Sequence, residues 1–250
     1  MKRTLLAFVL MLLTLGRLNG QPEDRAREII KKVDQLYRSN SSYAQMEMEI
    51  STPHWQRTLS LEAWTKGTDK TFILINSPKK ESGTATLRIK NEMWNYLPQT
   101  AKVIKVPPSM MMGSWMGSDF NNDDLVRESS MLDDYTYTMI TPAEPEPGML
   151  SLEMIPKENA AVVWGKIILT VREKDYLPVR QEYYDEKGRM MRLMEFKEIK
   201  VMGGKTIPTV MELISQTKEG NRTVIRYLKT DFDIPLKEGI FSLRNLKKGR

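Results

Sequence analysis

Met110-Met111-Met112-Gly113-Ser114-Trp115-Met116-Gly117-Ser118-Asp119-Phe120-Asn121-Asn122-Asp123-Asp124-Leu125-Val126 lies near the middle of the 250-residue chain. Methionines, a tryptophan and a phenylalanine crowd around two glycines, too irregular for a strand and too Gly-broken for a long helix. The stretch ends on residues that suit a helix start. Asn121 or Asn122 can cap, Asp123 and Asp124 favour the positive end of the dipole, and Leu125 and Val126 open an apolar face. Strand-like sequence stands on both sides. The segment therefore reads as an adaptable apolar flap at the mouth of a β-structure, hinged at Gly113 and Gly117 and passing through Ser118 and Asp119 into a short helix.

Working outward, alternating or short apolar runs predict strands over 43–51, 58–65, 71–75, 85–90, 93–97 and 102–106 before the flap. After it they predict strands over 135–140, 149–155, 162–171, 177–184, 190–199, 206–216 and 223–228. Met46, Met48 and Ile50 share one face of the first of these. Asp185-Glu186-Lys187-Gly188 and Lys218-Glu219-Gly220-Asn221 are hairpin loops, each with a glycine for a positive φ. The Pro- and Glu-rich stretch 141–148 divides the meander into halves without dividing domains. So many sequentially adjacent strands, with no helical crossovers, give an antiparallel meander that must curl or close.

One long amphipathic helix is predicted over 22–38, with Ile29, Ile30, Val33, Leu36 and Tyr37 on its apolar face and Ser39–Ser42 ending it. The fold class expected is mainly β with few helices. A large curved antiparallel sheet forms an unclosed β-barrel, lidded or plugged by the N-terminal helix and the Met-rich flap.

Residues 1–20 read as a signal peptide. Lys2 and Arg3 precede an apolar run from Leu5 to Leu15, and Gly20 offers a cleavage point. The run is too short to span a bilayer. Residues 21–250 then form a single domain. Removing Lys2, Arg3 and Arg17 lowers the formal charge from +6 to +3. Both signs are interspersed, so no nucleic-acid stripe is present and only weak attraction to anionic headgroups is expected.

The chain has no cysteine and one histidine. That excludes a disulfide framework, a lipidated cysteine and thiol chemistry, and leaves a zinc or redox-metal site without ligands. His54 sits in a Pro-His-Trp turn and reads as a surface residue rather than a catalytic base. Asp119, Asn121 and Asp123 match the start of a calcium loop. Asp124 then stands where glycine is needed and Ser130 where glutamate is needed, so the helix start is the better reading. No catalytic residue, metal or cofactor is expected, and the protein is not expected to be an enzyme.

The 18 methionines leave two readings of the flap. Methionine fills irregular gaps, so the flap can plug a barrel end. It can equally form a soft surface that repacks around apolar ligands. The ligand-contacting candidates are Met110, Met111, Met112, Trp115, Met116 and Phe120 of the flap, with Trp94, Tyr96, Met46 and Met48 of the strands.

The string Trp94-Asn-Tyr96-Leu-Pro98, then Lys105-Val-Pro107, Met110, Ser114-Trp-Met-Gly-Ser-Asp-Phe120 and Asn122-Asp-Asp-Leu125, resembles the outer-membrane lipoprotein-sorting protein family. Tyr176-Leu-Pro178, followed by a Tyr-Tyr-Asp and a Gly turn, extends the likeness. The family is related to periplasmic carriers of the LolA/LolB type. The resemblance implies an unclosed barrel with an apolar cavity. It implies a periplasmic, monomeric carrier of acylated lipoproteins or lipids towards the outer membrane, with an inner-membrane export transporter as a possible partner. The alternative is a non-catalytic adaptor or sensor that docks an envelope transporter or other membrane partner through the flap.

Overall fold

The computed structural model describes residues 22–127, 131–158, 160 and 162–248. The signal peptide expected over residues 1–20 lies outside the described residues. Among the described residues are thirteen strands in one sheet and four α-helices.

The first half runs β1 (Ser41–Ser51), β2 (Gln56–Lys66), β3 (Lys70–Ser77), β4 (Ala85–Ile89), β5 (Glu92–Leu97) and β6 (Lys102–Lys105). The second runs β7 (Tyr135–Ile140), β8 (Met149–Pro156), β9 (Lys166–Arg172), β10 (Pro178–Tyr184), β11 (Met190–Met202), β12 (Lys205–Ser215) and β13 (Arg222–Phe232). Every pairing is antiparallel, and β1 pairs with both β2 and β13. The two halves thus meet at the centre, and β6 and β7 are left as the two edges of the sheet, unpaired with each other. The sheet is not closed by hydrogen bonds, as the sequence predicts. The chain that crosses from one free edge to the other is the flap region. It contains the 3-10 turn Pro108–Met110, α2 (Asn122–Arg127) and α3 (Met131–Asp134).

Side-chain alternation gives the sheet two buried faces. On one, Met46, Met48 and Ile50 of β1 join Leu59 and Leu61 of β2 and Leu152, Leu169 and Met194 of the second half. α1 (Pro22–Gln35) adds Ala26, Ile29, Ile30 and Val33 to this cluster and packs against β7 and α3. On the opposite face, Phe72, Leu87 and Trp94 stand in direct cross-strand register, as do Leu74, Ala85 and Tyr96. They form a second cluster covered by Leu236, Ile240, Phe241 and Leu246, from the C-terminal segment ending in α4 (Leu243–Leu246). The sequence predicts no element there.

Boundaries differ where tertiary contacts override local pattern. α1 stops at Gln35 rather than Arg38, because Tyr37 turns to donate to the Pro208 carbonyl at 2.7 Å. Ser41 and Ser42 do not end the helix but open β1, where Ser42 bonds the Thr65 hydroxyl at 2.6 Å. β9 begins at Lys166 rather than Val162, since the backbone at Gly165 passes so close to Asp185 and Glu186 that a Cβ there would lie 2.7 Å from the Glu186 Cα.

Candidate functional site

The flap folds on itself before it meets the sheet. Ser114 and Asn121 form an isolated antiparallel bridge. Trp115 N–H donates to the Phe120 carbonyl at 2.8 Å, and Ser118 N–H to the Trp115 carbonyl at 3.0 Å. Met116 and Gly117 at the tip both have positive φ, 53° and 74°, as a tight hairpin turn with right-handed twist requires. Gly117 suits that conformation; Met116 does not, and its carbonyl accepts from the Arg57 guanidinium. Gly113 has no positive φ, but a Cβ there would lie 3.0 Å from the Met110 carbonyl oxygen.

Helix α2 starts as the sequence predicts. Asn121 Oδ1 accepts from the Asp124 N–H and Asp124 Oδ2 from the Asn121 N–H, both at 2.8 Å, a reciprocal cap. Asn122 donates to the Met110 carbonyl at 3.0 Å, and Asp123 N–H to the Met111 carbonyl at 2.8 Å.

The flap's apolar residues divide by direction. Trp115 and Phe120 are buried in the first cluster with Met46 and Met48, and Met111 and Met116 pack against it. Met110 and Met112 face outward, 60% and 53% exposed. Trp94 and Tyr96, grouped with the flap by the sequence reading, are not brought to it. They pack on the opposite face, because Leu87↔Trp94 and Ala85↔Tyr96 put them in phase with the second cluster.

Polar bonds then tie the flap to four strands. Trp115 Nε1 donates to Thr86 Oγ1 of β4 at 3.1 Å. Arg57 of β2 holds the Met116 carbonyl and also pairs with Glu81 at 2.9 Å. Asp119 N–H donates to Thr223 Oγ1 of β13 at 3.0 Å, and that hydroxyl returns a bond to Asp119 Oδ2 at 2.8 Å. Arg192 of β11 grips Asp124 through both terminal nitrogens at 2.5 and 2.7 Å. Its guanidinium lies against the rings of Trp164 and Tyr183, 4.4 and 4.1 Å from their centroids. Burial alone would push the Arg192 pKa down; the facing Asp124 carboxylate holds it above the ordinary value. Asp119 and Asp124 are thus turned to different strands and do not converge.

Thr86, Arg57, Thr223 and Arg192 were not legible as site residues one by one. Arg192 carried a signal: it stands in strand phase with Met194, at a position that faces the apolar side. A separate cavity of about 250 Å³ lies under the Pro-rich loop between β7 and β8, walled by Met139, Pro142, Ser151 and the Arg180–Glu146 ion pair.

A family model described as "-like: Uncharacterized protein" matches residues 67–248. The chain belongs to this family. Among curated proteins, none matches it. Among solved structures, a DUF1329 family protein from Desulfovibrio piger is 25% identical, with a TM-score of 0.81 over 90% of this chain and 99% of that one. An outer membrane lipoprotein-sorting protein domain from Vibrio parahaemolyticus is 23% identical, with a TM-score of 0.77 over 90% and 99%. A LolA superfamily protein from Nitrosomonas europaea is 20% identical, with a TM-score of 0.73 over 88% and 98%. The family's chain is therefore folded as the LolA-like proteins are, as the resemblance in sequence implies.

Proposed function

We propose that the protein is a periplasmic, non-enzymatic carrier of acyl chains, of lipoproteins or of lipids, on their way to the outer membrane. The observation that carries this reading is the seating of the flap. One segment, joining the two free edges of an open sheet, places Trp115 and Phe120 in the buried apolar cluster and is held there by polar bonds to four strands. The flap occupies the place of the cargo. The likeness of fold to proteins named for lipoprotein sorting supports the same reading.

The energies make exchange workable. Each buried CH₂ stabilises by about 0.8 kcal/mol, so a sixteen-carbon chain gains about 12 kcal/mol on leaving water. Two buried aromatic residues contribute about 2–3 kcal/mol each, and neutral hydrogen bonds about 1 kcal/mol each. Together the flap's contacts are of the order of 10 kcal/mol, comparable with one acyl chain. Cargo and flap can then compete for one interior, and a modest preference of either membrane for the cargo sets the direction.

The burial of Trp115 and Phe120 also favours a second reading, in which the flap stays shut and the exposed Met110 and Met112 dock an envelope partner. Organic extraction of protein purified from cells, with mass spectrometry of the extract and titration with a fluorescent fatty acid, separates the two. The carrier reading expects co-purified lipid and saturable binding. An empty extract together with no binding sinks it, whereas partner capture lost in Met112→Asp with no lipid present supports the adaptor.

A further inference from the structure

We infer that the cargo carries an acidic headgroup, a phosphate or carboxylate, which takes the place of Asp124 on Arg192. The inference rests on the carrier reading and names the class of lipid carried.

Arg192 is 5% exposed and lies on the face of β11 that also carries the buried Met194. Among the described residues its ion-pair partner is Asp124, which belongs to the flap and not to the sheet. Trp164 and Tyr183, tilted against each other at 59° with centroids 5.2 Å apart, both lie against the guanidinium, whose terminal nitrogens reach that carboxylate. Its Nε is buried without a hydrogen-bond partner, so one donor of the fork is already unused with the flap closed.

When the flap leaves to admit an acyl chain, Asp124 leaves with it. A cation stays behind, lying against two aromatic rings beside an apolar interior. A buried charge stripped of its partner is costly, so a cargo without an anionic group leaves the open form with a cation that has no counter-charge. An acidic headgroup removes that cost: its oxygens match the guanidinium fork as the carboxylate does. Arg57 differs in kind. Its flap contact is a carbonyl, and it keeps Glu81 when the flap departs. The asymmetry makes Arg192 the headgroup position and leaves Arg57 as a latch. Asp124 is the stand-in for the headgroup, and Trp115 and Phe120 are stand-ins for the chain. An acylated N-terminus, uncharged at its lipid end, fits this arrangement less well than an acidic lipid.

The test is a titration of the full mature chain with fluorescent phosphatidylglycerol and fluorescent diacylglycerol of identical acyl chains. The wild type is expected to bind the acidic lipid at least about tenfold more tightly, the scale of a charge-assisted pair. Asp124→Asn weakens the closed flap, so it tightens binding of both lipids alike and leaves the ratio standing. The double change Arg192→Met with Asp124→Asn, which leaves no orphaned charge, abolishes the ratio while still binding diacylglycerol. If the double variant does not fold, Arg192→Gln with Asp124→Asn, which keeps hydrogen-bonding groups on both sides, takes its place with the same expected loss of the ratio. Equal affinities in the wild type, or a ratio that survives the loss of Arg192, overturn the inference and leave the carrier reading standing. Inorganic phosphate displacing the acidic lipid at millimolar concentration also overturns it, by marking a free-anion site. Binding of neither lipid overturns the carrier reading itself.

Discussion

The indole Nε1 of Trp115 donates to the hydroxyl of Thr86 at 3.1 Å, in a position closed to solvent. Thr86 in turn bonds Asn95 Oδ1 on the neighbouring strand at 2.7 Å. The flap's largest side chain is thus registered against β4 and β5 by a short polar chain inside an apolar cluster. Thr86→Val keeps the shape and removes the hydroxyl, leaving a buried indole N–H unanswered. The expected cost is about 1–3 kcal/mol, read as a lower urea midpoint at unchanged slope. An unchanged midpoint would show that the flap is not seated on β4 in solution.

Gly117→Ala places a Cβ at positive φ and 3.3 Å from an Arg57 nitrogen. Gly148 has the same conformation, φ 73°, with nothing near its Cβ position. Gly148→Ala should lose about 1 kcal/mol from backbone strain alone. Gly117→Ala should lose more, and the excess should shrink when Arg57 is replaced by alanine. Equal losses in the presence and absence of Arg57 would remove that residue as a latch.

The second cluster is held by the C-terminal segment. Leu246 is fully buried in it and Phe241 nearly so, against Phe72 and Leu87. Leu246→Ala is expected to destabilise by about 2–4 kcal/mol. Because this cluster lies on the face of the sheet opposite the flap, the change should lower the melting temperature without altering fatty-acid affinity at a temperature where the protein is folded. A loss of affinity in proportion to the loss of stability would contradict the separation of the two faces.

Stability at high pH follows from two tyrosines. Burial first, and then a hydrogen bond to Glu62, pushes Tyr43 up to about 12, and burial with a bond to Glu182 does the same to Tyr184. Both phenols therefore lose their protons more readily unfolded than folded. Their contribution is complete below the ordinary tyrosine value of 10 and is lost as pH rises from about 10 through about 12. The melting temperature should fall across that window, and Tyr43→Phe should fall less steeply. An identical alkaline slope in Tyr43→Phe would assign the loss to other groups.

The strands were legible because one face of each is buried, and period-two alternation survives wherever water touches the other side. β1 shows this plainly: Met46, Met48 and Ile50 are buried while Glu47 and Glu49 look out. The cap at Asn121 and Asp124 was legible for a local reason, since its bonds close within four residues. The latches were not, because each joins residues distant in sequence. Asp119 meets Thr223 and Asp124 meets Arg192 only after the sheet has curled, and threonine and arginine in strands give no local signal of a partner. Trp94 and Tyr96 were misplaced for the opposite reason. They lie close to the flap in sequence, but their pleat phase sends them to the other face. In the segment 233–248, Pro235 and Gly239 interrupt any period in its apolar residues, and its burial of Phe241 and Leu246 is set by the surface it covers.

The most direct test of the account locks the flap. The chain has no cysteine, so Asp119→Cys with Thr223→Cys introduces one pair of thiols at a point where the two side chains already touch, Thr223 Oγ1 to Asp119 Oδ2 at 2.8 Å. Fluorescent fatty-acid binding is then measured on the same preparation oxidised and reduced. The account predicts no binding in the oxidised form and restored, saturable binding on reduction. Equal binding in both forms, with the disulfide verified by mass, would contradict it.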